Sequence, residues 1–300
     1  MVRTTLPARR RNRPDLLPGW AVGLVLGIAA LAGCARLRGE GPPLPTRETI
    51  HRGQLVIRSD FLLPANHRLI EDLVALRGDL NEELALPGTD EPIFVYLFED
   101  ADRFATFMAH HHPRFPQRRA FFIKTDTRLE VYAQWGDRVA EDLRHETAHG
   151  YLHAAVPNVP LWLDEGLAEY YEVPRGQGGV NHEHIEPLAE RLDAGWRPDL
   201  ARLETLPPQI DLSLVDYAES WAWVHFLLTT HPRHRELLRE HLRELRERGA
   251  AEPLSARLRR RLDDPEAALA AHLRAVAQAH RPLRSGAAHG GPGGTGREPL

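Results

Sequence analysis

His145, Glu146 and His149 stand in the pattern His-Glu-x-x-His. On an α-helix, residues four apart share one face about 6 Å apart along the axis, so both imidazoles can reach a single tetrahedral ion. Glu146, about 100° round the helix from His145, then approaches a water beside the ion rather than the ion itself. A metal that activates water needs a third protein ligand and one open position. The segment LWLDEGLAEY, Leu161 to Tyr170, supplies Glu165 and Glu169 four apart, just after Pro160. One of these carboxylates can take the third position while the other orients a histidine from outside. The fifteen residues between His149 and Glu165 are enough for a turn and an antiparallel return.

Other clusters fit this chemistry less well. His153 shares the face of the two histidines but lies about 12 Å from His145 along the helix, too far to close the same site. Leu152 and Ala155 stand where a metzincin pattern wants glycine and a third histidine. His110, His111 and His112 follow a predicted helix and read as a solvated loop. Asn181-His182-Glu183-His184 follows a glycine-rich stretch, Gly176 to Gly179, that could be a mobile flap over the cleft. The arginine and glutamate runs from Arg233 to Arg248 read as i,i+4 pairs on solvated helices.

The elements that must position these residues can be read from hydrophobic periodicity. Gln54 to Ile57 is a short strand. Leu69, Leu73, Leu76, Leu80 and Leu84 then recur at helical spacing. Ile93 to Phe98 is an apolar strand, followed by helix through Phe104 and Met108. Phe121 to Lys124 and Leu129 to Gln134 form a hairpin around Thr125-Asp126-Thr127. Helices follow over 137–155, with Asp137 as N-cap, then 160–172, 183–194, 214–230 and 233–248, with two more before 281. Strands first and helices afterwards predict an α+β fold: a small mixed sheet, an active-site helix and a mainly helical C-terminal part.

The chain of 300 residues is 42% hydrophobic and 27% charged, as expected of globular protein. Its first 33 residues hold five arginines and one aspartate, leaving 33 basic and 41 acidic side chains in the rest, a formal −8 against −4 for the whole. A mildly acidic body argues against nucleic acid as a partner. The single cysteine, Cys34, excludes an intramolecular disulfide and any cysteine-rich zinc module. Arg3, Arg9, Arg10, Arg11 and Arg13 precede an apolar stretch from Trp20 to Gly33, the make-up of a signal peptide. That stretch is shorter than the roughly 20 residues of a spanning helix. It ends in Leu31-Ala32-Gly33-Cys34, which resembles the bacterial lipobox and makes Cys34 the lipidation site. The resemblance implies a domain outside the cytoplasm; with Ala35 next, it implies the outer membrane facing the periplasm. The expected organisation is a signal peptide over 1–33, a lipidated tether over 34–52, a folded domain over 53–282 and a disordered tail over 283–300.

Together His145-Glu146-Thr147-Ala148-His149 and Trp162-Leu163-Asp164-Glu165-Gly166-Leu167-Ala168-Glu169-Tyr170 resemble the gluzincins of the peptidase MA clan. They are most similar to the small peptidase MA-like domains of bacterial envelope proteins. The resemblance covers roughly 93–230 and implies a zincin-like fold. It makes Glu165 the third ligand of one Zn2+ and places Glu169 outside the ligand shell. Gluzincins often set a Tyr or His donor opposite the metal to hold a developing oxyanion, and Tyr217 is the candidate here. The spacer after His149 is shorter than in the best-studied members, so their substrate classes do not carry over.

The expected function is therefore that of a lipid-anchored zinc metallopeptidase with Glu146 as general base and a peptide or protein as substrate. A substrate strand would add to the sheet edge, with Leu129 to Gln134 as the expected edge beside Tyr132 and Trp135. The runner-up is a catalytically silent, zinc-stabilised domain that binds an envelope partner. Glu146, which a purely structural site would not need, favours the enzyme.

Overall fold

Hydrophobic alternation sets the architecture of the computed structural model, which describes residues 41–280; the leader, Cys34, the first part of the tether and the tail expected from 283 lie outside these. Strands β1 (Glu48–Arg52) and β2 (Leu55–Ser59) form an antiparallel hairpin across Gly53, whose φ of +56° suits the tight turn. Helix α1 (Arg68–Leu84) leads to β3 (Ile93–Phe98), parallel to β2 with Ile57 opposite Val95. Helix α2 (Ala101–His111) precedes a second hairpin of β4 (Ala120–Lys124) and β5 (Leu129–Gln134). Strand β5 runs parallel to β3, and β4 falls on the outside, giving the order β1-β2-β3-β5-β4.

Side chains on a strand alternate faces. Ile93, Val95, Leu97, Leu129, Val131 and Ala133 therefore point into the main core, where the buried leucines of α1 meet them. Tyr96, Phe98 and Tyr132 point the other way, into an aromatic cluster with Phe104 and Phe107 of α2.

Helix α3 (Val139–Ala155) lies on the main-core face. Gly150 lets it approach closely, since a Cβ there would sit 3.1 Å from two Ile93 carbons. Helix α4 (Leu161–Tyr171) returns beside α3, and α5 (His182–Asp193) and the short α6 (Leu200–Glu204) follow. Helix α7 (Leu214–Thr229) opens on a capping box between Ser213 and Asp216. It buries Trp221 and Trp223 completely and packs directly on α4. That approach needs Gly166, where a Cβ would lie 2.5 Å from the Ser220 carbonyl oxygen. Helices α8 (Pro232–Arg248), α9 (Leu254–Arg259) and α10 (Pro265–His280) complete the described part. A five-stranded mixed sheet and ten helices among the described residues make an α+β fold with a mainly helical C-terminal part.

Three expectations are corrected here. The folded part begins before residue 53, because Glu48–Arg52 of the supposed tether is strand β1, paired along its length with β2. Asp137 does not cap the metal-motif helix. The helix starts at Val139 with Arg138 as N-cap, and its first turn carries Glu141 and Asp142, which suit the positive end of the helix dipole. Strand β5 is not an edge. The hairpin folds β4 over its outer side, so β5 has partners on both sides and β4 is the edge on the α3 side.

Candidate metal centre

Four residues of separation on α3 bring His145 and His149 onto one face, with their Nε2 atoms 3.2 Å apart. From the first turns of α4, Glu165 sets one carboxylate oxygen 3.6 Å from each of those nitrogens. A tetrahedral zinc with bonds of about 2.0–2.2 Å separates its donors by about 3.3–3.6 Å, so these three atoms fit around one ion. Glu169 belongs instead to a second group that could hold a metal, with His145 and Glu172, which does not include His149, and the two Nε2 atoms face Glu165.

The outer ring nitrogens are held as a metal centre requires. His145 Nδ1 donates to Glu172 at 2.9 Å, and His149 Nδ1 donates to Asp164 at 2.8 Å. An ionised carboxylate can only accept, so each Nδ1 carries a proton, and Nε2 is the nitrogen left to face the common point and to bind an ion there in exchange for its own proton. The second oxygen of Asp164 meets His153 Nε2 at 2.8 Å. His153 thus steadies the partner of a ligand from the next turn of α3.

Glu169, expected to orient one of the two histidines, instead faces α5. Its carboxylate pairs with His184 Nε2 at 2.7 Å and accepts from Asn181 Nδ2, which also donates to Glu172 at 2.8 Å. The roles assigned to Glu169 fall to Asp164 and Glu172. Arg144, buried on α3, fixes the end of α4 by donating to the Glu172 carbonyl and pairing with Asp72.

Electrostatics state the same preference as geometry. Burial alone would push His149 down, yet Asp164 and Glu165 hold its pKa up to about 10. Burial would likewise lower His145, but Glu165 and Glu172 raise it well above the ordinary histidine value. Burial would raise Glu165, and the two imidazoles outweigh it to hold the carboxyl down at about 2. Excess carboxylate around two imidazoles favours positive charge at their centre.

Glu146 is the exception. Burial pushes its carboxyl pKa up, against the pull of His145 and His149. Its carboxylate therefore binds a proton more tightly than a solvated one does. Tyr217, on the first turn of α7, faces the same centre: burial raises its pKa, and the charge of Glu165 raises it further. Its hydroxyl accepts from Arg118 at 3.4 Å. The edge strand β4 runs alongside, with the Phe122 ring stacked 5.8 Å from His149 and 5.4 Å from His153.

The glycine-rich stretch is exposed at Gly176 and Gly178 but fixed at its end. Trp221 Nε1 donates to the Gly179 carbonyl at 2.8 Å, and any Cβ at Gly179 would collide with the Tyr170 ring, so Gly179 is pinned to α4 and α7. His110 and His111 close the last turn of α2 and His112 is its C-cap; none belongs to a metal-holding group among the described residues. Sequence reasoning missed Asp164, Glu172, Asn181 and Arg118. Only Asp164 carried a readable signal, as a carboxylate next to Glu165 in a histidine-metal motif. No helix among the described residues is long and apolar enough to cross a membrane.

Residues 139–252, from α3 to just past α8, match the model of a family described as a protein of unknown function, DUF1570. The three donors, their carboxylate partners and Tyr217 all fall within that span, whereas β4 and Arg118 precede it. A search of curated proteins gave no match to the chain.

Proposed function

We propose that this chain is a zinc-dependent metallopeptidase of the gluzincin kind, tethered to the bacterial envelope through a lipid on Cys34. The observation that carries the reading is the convergence of His145 Nε2, His149 Nε2 and a Glu165 oxygen at tetrahedral spacing, with Glu146 beside them.

Zinc held by these residues supplies Lewis acidity toward a peptide carbonyl and makes water a stronger acid. Glu146 takes a proton from the attacking water and delivers it to the leaving amine. Burial suits Glu146 to this role, because it raises proton affinity above that of a solvated carboxylate. Tyr217 donates its hydroxyl to the developing oxyanion, a contribution of order 10² in rate. Asp164 and Glu172 keep the ligand imidazoles in the correct tautomer and orientation. The substrate lies as an added strand on β4, which is the free edge next to Phe122 and His149.

The test is zinc content per chain in the soluble protein lacking residues 1–34, beside Glu165→Ala and Glu169→Ala. One zinc in the parent and in Glu169→Ala, with loss in Glu165→Ala, is the expected result. A folded parent that takes up no zinc when it is supplied would overturn the reading. Glu146→Gln should keep the zinc and lose peptide hydrolysis; a zinc-stabilised partner-binding domain would be indifferent to it.

A further inference from the structure

Arg118 is an arginine beside a metal centre with no acid of its own. Its neighbour Arg119 makes a two-pronged bond to Asp142 at 2.7 and 2.9 Å, as arginines on this surface commonly do. No carboxylate among the described residues lies within 4.0 Å of the Arg118 guanidinium, whose one hydrogen bond is the long one to the Tyr217 hydroxyl. The carboxylates of Glu165 and Glu146 are nonetheless near enough to favour its charged form. A cation in this position, two residues before the edge strand, is free for a ligand.

The direction of the strand tells which part of a peptide it would meet. Arg119, just before β4, is tied to Asp142 in the first turn of α3, and Lys124, ending β4, reaches the Pro157 carbonyl just past the last turn. Strand and helix therefore run the same way, with the metal histidines level with the middle of β4, where Phe122 stacks on His149. A peptide adding antiparallel to β4, the more stable pairing per residue, places its C-terminal residues toward Ala120 and Arg118. From Phe122 to Arg118 is four residues, about 13 Å of strand, and the guanidinium is directed to Tyr217 at the centre. The meeting point is thus within the first residues past the scissile bond.

Resting on the metallopeptidase reading above, we propose that Arg118 binds a carboxylate of the substrate just C-terminal to the scissile bond, so that the preferred substrates are peptides cleaved close to a free C-terminus. The same guanidinium could take an acidic side chain at that position; the shared chemistry is a carboxylate.

Binding to the zinc-loaded Glu146→Gln protein decides the matter without turnover. Three probes are titrated by calorimetry: N-acetyl-Ala-Ala-Leu as the free acid, its C-terminal amide, and the amide of N-acetyl-Ala-Glu-Leu. Charge-assisted bonds to a guanidinium predict that the free acid binds about ten- to a hundredfold tighter than the simple amide. Arg118→Gln should erase the difference and Arg118→Lys should restore part of it, with unchanged melting temperatures. If the glutamate-containing amide alone binds tightly, the carboxylate reading holds and the source is a side chain, which overturns the C-terminal preference. Equal binding of all three, or an acid preference that survives Arg118→Gln, overturns the proposal while the zinc content leaves the metal centre standing. A protein without zinc fails the metal reading instead, and the same titrations still judge Arg118.

Discussion

Gly166→Ala sets two known effects against each other at one atom. Replacing glycine by alanine inside a helix normally stabilises it by about 0.5–1 kcal/mol. At Gly166 the added Cβ would lie 2.5 Å from the Ser220 carbonyl oxygen and 2.9 Å from Val224, where ordinary contact begins near 3.4 Å. Two of the three nearest atoms are α7 backbone, which cannot rotate away, so α4 and α7 must part by about 0.9 Å, the difference between 3.4 and 2.5 Å. Separation disturbs a helix whose Trp221, Trp223, Val224 and Leu227 are wholly buried. Overpacking of this kind costs about 1–3 kcal/mol, which outweighs the propensity gain and leaves a net loss of about 1–2 kcal/mol. For a domain of this size that is a fall of about 2–8 °C in melting temperature. Gly78, exposed within α1 and with open space where a Cβ would stand, is the control, and Gly78→Ala should raise the melting temperature. The assay is thermal unfolding by circular dichroism, with zinc content and turnover measured alongside. Zinc should remain, because α3 and α4 carry all the donors, while turnover should fall as Tyr217 moves with α7. If Gly166→Ala proves as stable as the parent or more so, the contact does not hold the helices apart and the reasoning is wrong.

Two further outcomes are expected. Asp164→Asn leaves His149 without its acceptor and His153 without its partner, and should weaken zinc about 10- to 100-fold with the fold intact, measured by competition with a chelator. An unchanged affinity would mean that Asp164 does not orient the ligand. His225 on α7 is buried against His272 of α10, with Tyr170 and the charge of His280 nearby; burial first and His272 next depress its pKa to about 4. An unfolded histidine titrates near 6.5, so between pH 6.5 and 4 the unfolded chain binds a proton that the folded chain refuses, and stability falls as pH falls, by about 3 kcal/mol at the lower limit. The melting temperature of His225→Gln should therefore depend less on pH over that range than the parent's, and equal slopes would remove His225 from the account.

How far the sequence could be read depended on whether the signal was local. The leucines of α1 repeat at helical spacing and all are buried, so that helix was legible, as was the five-residue histidine pattern on α3. Strand β1 escaped because only Ile50 of its five residues is buried, leaving no alternation to see beside the prolines of the preceding segment. The edge of the sheet was misplaced because chain proximity stood in for spatial proximity: β5 directly precedes α3, yet its hairpin partner β4 takes the outer position. Spacing puts 165 and 169 on one face, and the gluzincin resemblance left Glu169 the outer, orienting place. Which outer nitrogen meets which carboxylate depends on how α4 crosses α3, and that placed Asp164 and Glu172 on the rings. Arg118 had no signal, because an arginine among many is distinguished only by the absence of a partner acid, a tertiary fact. The glycines near residue 178 suggested mobility, whereas Gly179 is required by a tight contact with Tyr170.

The donors and the carboxylates bonded to them belong to one helical hairpin, His145 and Glu172 lying 27 positions apart and His149 and Asp164 only 15. A cross-link across so short a loop, already closed by the antiparallel helices, removes little chain entropy, and it ties no strand to any later helix. An ion held there would therefore not be the staple of this architecture, in contrast to small zinc modules that unfold when it is withdrawn. On the metallopeptidase reading, loss of an ion would leave the sheet, the tryptophans of α7 and the outer helices in place, so the site could be emptied and refilled as a local repair, silent but still standing.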